Sequence, residues 1–185
     1  MANFIQQLAG QKPESIARQT RRSSAWFRNK LKQFAKNNRK GISSKPVIGK
    51  MYTYQYDPKW KDTLPVYDIF PLVLIINIYS DGDSAGWLGL NLHYLPPRLR
   101  VVLLNELIKI SNNKKLSERS KLKLTYGKLK SASVSKYVEP TLHRYLRSHI
   151  KSKIVTIPAE DWYLAASLPF AKFRKKSKMQ VYSGL

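Results

Sequence analysis

The sequence predicts an α+β protein in which a small antiparallel sheet, either a meander or an SH3-like barrel, is covered by several helices. Apolar and polar residues alternate over residues 52–56 and again over residues 88–92, which is the period of a strand with one buried face. Residues 71–79 form an almost continuous apolar run with β-branched side chains, which favours a strand buried on both faces. Leucines then recur at helical spacing after Pro97, which predicts a helix.

The sheet is expected within residues 48–95, because turn-forming residues separate its three predicted strands. Asp57-Pro58 follows the first strand, and the loop of residues 80–83 follows the second. These tight connections favour antiparallel neighbours.

The helices that cover the sheet are expected within residues 96–168. The first has an inward face at Leu99, Leu103, Leu107 and Ile110. A second is expected to start at Pro140, with four side chains facing inward: Leu142, Tyr145, Leu146 and Ile150. Residues 154–157 are predicted to form a short strand. Pro158 then opens a last helix, which Pro169 ends.

The positive charge of the chain is concentrated towards both sides of a near-neutral centre. The chain has 34 lysines and arginines against 11 acidic residues, a net charge of +23. The net charge is +11 in residues 1–50 and −1 in residues 51–100, then +8 and +5 in the two remaining parts. We therefore predict a basic helical arm and linker over residues 1–47, an α+β core over residues 48–170 and a basic tail over residues 171–185.

Such a charge opposes compaction unless a partner neutralises it. Nucleic acid, an anionic membrane surface and acidic proteins are the possible partners, and DNA is favoured over a membrane because no wide apolar helix face accompanies the basic residues. An excess of lysine on an ordinary surface is the plain alternative. The chain has no cysteine, no run of 18 apolar residues and no signal-peptide pattern. We therefore expect an intracellular protein without disulfides, thiolate metal sites or a transmembrane helix.

The candidate DNA contacts are arginines and lysines in the arm and in the tail. In the arm, a helix predicted over residues 13–36 places Trp26 and Phe27 among basic side chains. Arginine can clamp a phosphate through its fork of donors, and an indole can stack on bases. Equally, the aromatic residues could pack on the core while the basic face is solvated. The predicted nucleic-acid-binding residues are Arg18, Arg21, Arg22, Arg28, Lys30, Lys32, Lys172, Arg174, Lys175 and Lys176.

No recognisable catalytic motif is present, so the sequence predicts neither an enzyme nor a cofactor, a metal site or catalytic residues. The spacing of His93, His143 and His149 does not suggest a shared site. A metal-dependent nuclease would need converging carboxylates, and it remains the weaker alternative. Its candidates are Asp57, Asp62, Asp68, Asp81 and Asp83.

The central block resembles a known group of viral proteins. Its motifs are Met51-Tyr52 with Tyr56-Asp57-Pro58, the stretch from Leu64-Pro65 to Val73, and the stretch from Gly89 to Pro96. These are similar to the small basic virion proteins of contractile-tailed bacteriophages that are commonly labelled DNA end protectors. The resemblance covers residues 20–165 and is strongest over residues 49–100.

The resemblance implies a non-enzymatic virion component that is made in the bacterial cytoplasm and assembled near packaged DNA. Its expected partners are duplex DNA, held through phosphate contacts, and other virion proteins, with an oligomeric state set by the assembly. The alternative is a structural tail, neck or baseplate subunit whose basic arms bind neighbouring proteins. The resemblance carries over no catalytic residue.

Overall fold

The computed structural model describes residues 42–43, 45–111, 138–167 and 170–183. The helix predicted over residues 13–36 lies outside these ranges. Within them the chain forms eight strands and three α-helices. The strands are β1 (Ile42–Ser43), β2 (Met51–Thr53), β3 (Tyr67–Asp68), β4 (Leu72–Tyr79), β5 (Gly86–Asn91), β6 (Leu142–Leu146), β7 (Ile154–Ile157) and β8 (Phe173–Arg174). The helices are α1 (Pro97–Ser111), α2 (Trp162–Ser167) and α3 (Lys178–Tyr182).

Six of these strands form one antiparallel sheet in the order β1-β7-β2-β4-β5-β6. The two remaining strands, β3 and β8, pair with each other as a separate antiparallel ribbon. The predicted α+β class and antiparallel sheet are therefore confirmed. The prediction that the sheet lies within residues 48–95 is wrong, because β1, β6 and β7 also pair into it.

Strand β4 lies at the centre of the sheet and is buried on both faces over its first five residues, as its apolar run predicts. Leu72, Leu74 and Ile76 belong to one hydrophobic cluster, whereas Val73 and Ile75 belong to another. Alternate residues of a strand point to opposite faces. The sheet therefore separates two cores.

The first core lies between the sheet and the helices α1 and α2. Leu103, Leu104 and Leu107 of α1 and Trp162 of α2 are buried there against the even-numbered side chains of β4. The helix predicted after Pro97 is confirmed. The strand predicted at residues 154–157 and the helical segment after Pro158 are also confirmed.

The second core is aromatic. The ring centroid of Tyr54 lies 5.4 Å from that of Trp87 and 5.7 Å from that of Tyr145, both edge to face. Tyr56 also meets Tyr145 edge to face at 4.9 Å. Trp87 Nε1 donates a hydrogen bond to the Tyr54 hydroxyl at 2.8 Å, so the polar tips of these rings are satisfied inside the core.

The prediction of a helix that begins at Pro140 is wrong. After a 3-10 turn at Glu139–Thr141, residues 142–146 form β6, and Leu142 is 42% exposed instead of facing inward. The spacing of Leu142, Tyr145 and Leu146 fits a helix. In β6, alternate side chains point to opposite faces, and Tyr145 enters the aromatic core. Pairing with β5, where Tyr145 lies opposite Trp87, overrides the local helical pattern.

A second 3-10 turn, Arg147–His149, leads from β6 towards β7. Immediately after it, Ile150 forms a bridge with Tyr56, and Lys151 N donates to the Gln55 carbonyl at 2.9 Å. The turn is therefore attached to the segment that follows β2.

The ribbon holds residues of the predicted basic tail. In β8, Phe173 and Arg174 pair with Asp68 and Tyr67 of β3. Helix α3 follows and begins with a capping box, in which the Ser177 hydroxyl accepts from Gln180 N while the Gln180 side chain accepts from Ser177 N.

Candidate nucleic-acid interface

Six of the ten predicted DNA contacts lie outside the described residues. They are Arg18, Arg21, Arg22, Arg28, Lys30 and Lys32. The other four lie on or beside β8. Lys172, Arg174 and Lys176 are exposed there, and Lys172 Nζ lies 5.8 Å from the ring centroid of Phe70.

Lys175 is also exposed, but its ammonium group already has two partners. Its Nζ donates to the carbonyl of Asp62 at 2.7 Å and to that of Leu64 at 2.9 Å. Its backbone φ is +69°, a left-handed conformation that is uncommon outside glycine. Lys175 therefore fixes the loop before β3 as well as adding charge to it.

A second basic surface, which we call the basic strip, lies on β6, on the 3-10 turn after it and on the segment that leads to β7. Its four members are exposed: Arg144, Arg147, Lys151 and Lys153. None of these residues is among the predicted DNA contacts, because the segment that begins at Pro140 was expected to form a helix that covers the sheet. The composition of the sequence could have identified the basic strip, since residues 140–159 contain these four basic side chains and no acidic one.

The backbone of the basic strip is held in place on both sides. Arg147 N donates to the Ala85 carbonyl at 2.9 Å, and Lys151 N donates to that of Gln55. The Arg144 guanidinium donates to the Ser84 carbonyl at 3.2 Å and lies 4.8 Å from the ring centroid of Tyr79. The four basic side chains of the strip are thus carried by a backbone that hydrogen bonds hold in place.

Hydrogen bonds connect the basic strip to the ribbon through two intervening segments. Ile150 bridges to Tyr56, Tyr56 N donates to the Ile69 carbonyl at 2.8 Å, and Ile69 N donates to that of Lys172 at 3.0 Å. Four backbone segments therefore lie side by side. Hydrogen bonds therefore link the basic strip to the ribbon in a continuous series.

A buried polar network anchors the ribbon to the sheet. Asp68 Oδ1 accepts from the backbone N of Phe70 at 3.1 Å and of Lys172 at 3.2 Å. Its Oδ2 accepts from Asn91 Nδ2 at 3.3 Å and from His93 Nδ1 at 2.7 Å. Burial alone would raise the pKa of Asp68, but His93 and the two backbone donors outweigh it and lower that pKa. Burial lowers the pKa of His93, so a carboxylate accepts from a neutral imidazole.

Arg100 of α1 extends this network to the helices. Its Nε donates to the Leu95 carbonyl at 2.7 Å and its two terminal nitrogens donate to Ala166 and His93 carbonyls, at 3.1 and 3.3 Å. One terminal nitrogen also donates to the Tyr182 hydroxyl at 2.7 Å. The arginine is 1% exposed, and it joins α1, α2 and α3 behind the ribbon.

Comparison with protein families matches residues 1–184 to the family described as Phage T4 terminal DNA protecting protein. The chain belongs to this family. The match confirms the resemblance to phage DNA end protectors, and it spans the arm, the basic strip and the ribbon alike. No curated protein and no solved structure matches the chain.

In this member of the terminal DNA protecting family, the acidic candidates for a nuclease are dispersed. Asp68 is buried in the network, and Asp57 pairs with Lys61 at 3.2 Å. Asp81 precedes the exposed 3-10 turn between β4 and β5, and Asp83 lies within it. Among the described residues, no three histidine or acidic side chains are grouped to hold a metal ion, and no helix is long and apolar enough to cross a membrane.

Proposed function

We propose that this protein binds the ends of linear duplex DNA through phosphate contacts, without reading sequence and without catalysis. The observation that carries the proposal is the match of nearly the whole chain to the family of terminal DNA protecting proteins. The net charge of +23 supports it, because a polyanion neutralises such a charge.

Two sets of basic residues would make the phosphate contacts. One is the set predicted from the sequence, in the arm and on the ribbon. The other is the basic strip, which hydrogen-bonded segments connect to the ribbon. Phosphate contacts position a protein on a duplex but carry no sequence information. This suits a protein that must act on ends of differing sequence.

We also propose that the six-stranded sheet is an SH3-like barrel. Three observations support this: strand order, the 3-10 turn that separates β6 from β7, and the bridge from Ile150 to Tyr56. The aromatic core would then fill the inside of the barrel, and the basic strip would lie on its wall.

The proposed setting is a bacteriophage particle. The protein would be made in the host cytoplasm and would join the virion with other virion proteins, which would set its oligomeric state. The family match supports this setting, because protection of a DNA terminus has meaning only for a linear genome.

The experiment is binding of the full chain to linear duplex DNA and to covalently closed circles of the same sequence, over a salt series. We expect tighter binding to the linear form and an affinity that falls steeply with salt. Protection of the linear form from an exonuclease gives a second readout. Equal binding to both forms would contradict end recognition. Absence of binding at physiological salt would favour a tail, neck or baseplate subunit whose charge meets acidic proteins.

A matched pair of variants tests which basic residues contact DNA. Replacing Arg18 and Arg21 with glutamine removes two charges from the arm. The control removes two exposed charges that have no proposed role, at Lys50 and Arg98. We expect the first variant to lose more affinity than the second. The parent protein, incubated with DNA and Mg²⁺ or Mn²⁺, should release no nucleotides, and cleavage would contradict the non-enzymatic proposal.

A further inference from the structure

Trp60 is an exposed indole that neither core uses. It is 64% exposed, against 38% for the exposed aromatic rings of Phe70 and Tyr163. Large aromatic side chains are normally buried or used at interfaces. The other described tryptophans, Trp87 and Trp162, are buried with their Nε1 groups hydrogen bonded.

The loop that carries Trp60 has a fixed backbone. The Trp60 carbonyl accepts hydrogen bonds from Thr63 N at 3.1 Å, from the Thr63 hydroxyl at 3.1 Å and from Leu64 N at 3.0 Å. Pro58 and Pro65 flank the loop and restrict its backbone further. Lys175 ties the same loop to the ribbon through the carbonyls of residues 62 and 64. Because the backbone is already ordered, the loop itself loses little conformational entropy when the indole contacts a ligand.

The surroundings of the indole are suited to an anionic ligand. Lys59 Nζ lies 5.3 Å from the centroid of the Trp60 ring. Lys61 follows, with its ammonium group next to Asp57. Lys175 joins this loop to the ribbon, whose exposed cations are Lys172, Arg174 and Lys176. Asp62 is the exposed acid of the loop, and its carbonyl is a partner of Lys175.

An end of duplex DNA differs from its interior in one feature that an indole can recognise. Inside the duplex both faces of each base pair are covered by neighbours, whereas the last base pair has one flat face in contact with solvent. Stacking on that face requires no opening of a base step. Stacking of an aromatic side chain on a base contributes about 1–3 kcal/mol and depends little on sequence.

We propose that Trp60 stacks on the terminal base pair of linear duplex DNA, while Lys59 and the ribbon cations contact phosphates of the last nucleotides. This assignment rests on the proposed function and gives it a means of distinguishing an end from interior duplex. Phosphate contacts alone would hold both equally.

The test compares a short blunt duplex with a dumbbell of the same sequence whose ends are closed by hairpin loops. The full chain is compared with W60A and W60F, and M179A removes another exposed apolar side chain, 82% exposed on α3, as the control. We expect the parent protein to prefer the open duplex. W60A should lose that preference by about 5- to 150-fold, with its affinity for the dumbbell unchanged. W60F should be intermediate, and M179A should match the parent.

A fluorescent adenine analogue placed in the terminal base pair reports stacking directly. Its emission should change on binding of the parent protein and not on binding of W60A. Thermal unfolding of each variant verifies that it is folded.

The outcomes separate this inference from the function on which it rests. If the parent protein does not prefer open ends, end binding itself is wrong. If the parent protein prefers open ends and W60A keeps the same preference, the function stands and the stacking inference is overturned. An equal loss of affinity for duplex and dumbbell would place Trp60 against interior DNA, and this too would overturn the inference.

Discussion

His93 Nδ1 lies 2.7 Å from Asp68 Oδ2, and both side chains are buried at the junction of the sheet and the ribbon. The carboxylate also receives two backbone N–H groups that fix the ribbon. This pair is therefore a structural connection between the sheet and the ribbon, and its chemistry makes the fold sensitive to acid.

The first prediction concerns pH. The pKa of Asp68 is lowered in the folded protein, so the stability it contributes is present above its ordinary pKa and is lost as the pH falls through the lowered value. The pKa of His93 is also lowered, by burial foremost, so below about pH 6.5 the unfolded chain binds a proton that the folded chain does not. Both effects have the same sign. We expect the free energy of unfolding, measured with urea, to fall from pH 7.5 to pH 5.5 and again to pH 4.

The variant H93Q should reduce the decrease in the free energy of unfolding between pH 7.5 and pH 5.5. It should not abolish it, because burial lowers the pKa of His143 as well. A pH dependence identical to that of the parent would contradict the role assigned to His93.

The second prediction concerns the same carboxylate at constant pH. D68N keeps the shape of the side chain and removes its charge, so the hydrogen bonds to a charged acceptor are weakened. We expect a loss of about 2–3 kcal/mol at pH 7.5, measured by urea unfolding. Because β8 depends on Asp68, hydrogen exchange of the Lys172 amide should accelerate more than that of amides in β4. Uniform acceleration would mean that the ribbon has no separate dependence on this residue.

The third prediction concerns Arg100. R100K keeps the charge, but an ammonium group cannot reproduce the fork that reaches the carbonyls of Leu95, Ala166 and His93. Leaving buried carbonyls without donors should cost at least about 3 kcal/mol in thermal or urea unfolding. Y182F removes only the hydroxyl partner and should cost about 1.5 kcal/mol. A smaller effect of R100K than of Y182F would refute this ordering.

The fourth prediction concerns the basic strip. K151Q/K153Q removes two exposed cations, and the slope of log affinity against log salt for duplex DNA should become shallower by about 1.8 if each lysine neutralises one phosphate. The variant K50Q/R98Q removes the same charge from other exposed positions and serves as the control. Equal effects of the two variants would indicate a response to net charge instead of contacts at the basic strip.

The fifth prediction concerns a close approach of two strands. A Cβ atom at Gly86 would overlap the carbonyl of Tyr145 on β6, so G86A must displace backbone. We expect a loss of about 3 kcal/mol or more. At Gly82, which has φ +43° and open space around it, the corresponding substitution should cost about 1 kcal/mol from backbone strain alone. Thermal unfolding of the two alanine variants measures which substitution costs more stability.

The elements that could be predicted are those in which the local sequence pattern agrees with the structure that the whole fold selects. The run from Leu72 to Ile78 is apolar and β-branched, which favours a buried strand, and α1 follows from its repeated leucines. The prediction for residues 142–146 was wrong because their apolar spacing fits a helix. Their partner, β5, lies more than 50 residues earlier in the chain, and only that pairing selects the strand.

The candidate interface was predictable as charge but not as geometry. Composition indicated a polyanion partner, and the acid-free stretch around Arg147 could have indicated the basic strip. No local sequence pattern indicates that Asp68 contacts His93, or that Lys175 holds the loop of Trp60. Such contacts depend on how the sheet brings distant segments together.

The pairing of β3 with β8 also determines when the interface can form. Lys175 reaches the Asp62 carbonyl across 113 residues, and Lys172 reaches Asp68 across 104. Strands β4 and β5 adjoin in the chain and can pair early, whereas the ribbon must close a long loop. During synthesis the loop of Trp60 therefore emerges well before the residues that fasten it. If Trp60 stacks on a DNA end as proposed, its loop is fixed for that contact only when the chain has folded as far as Lys175.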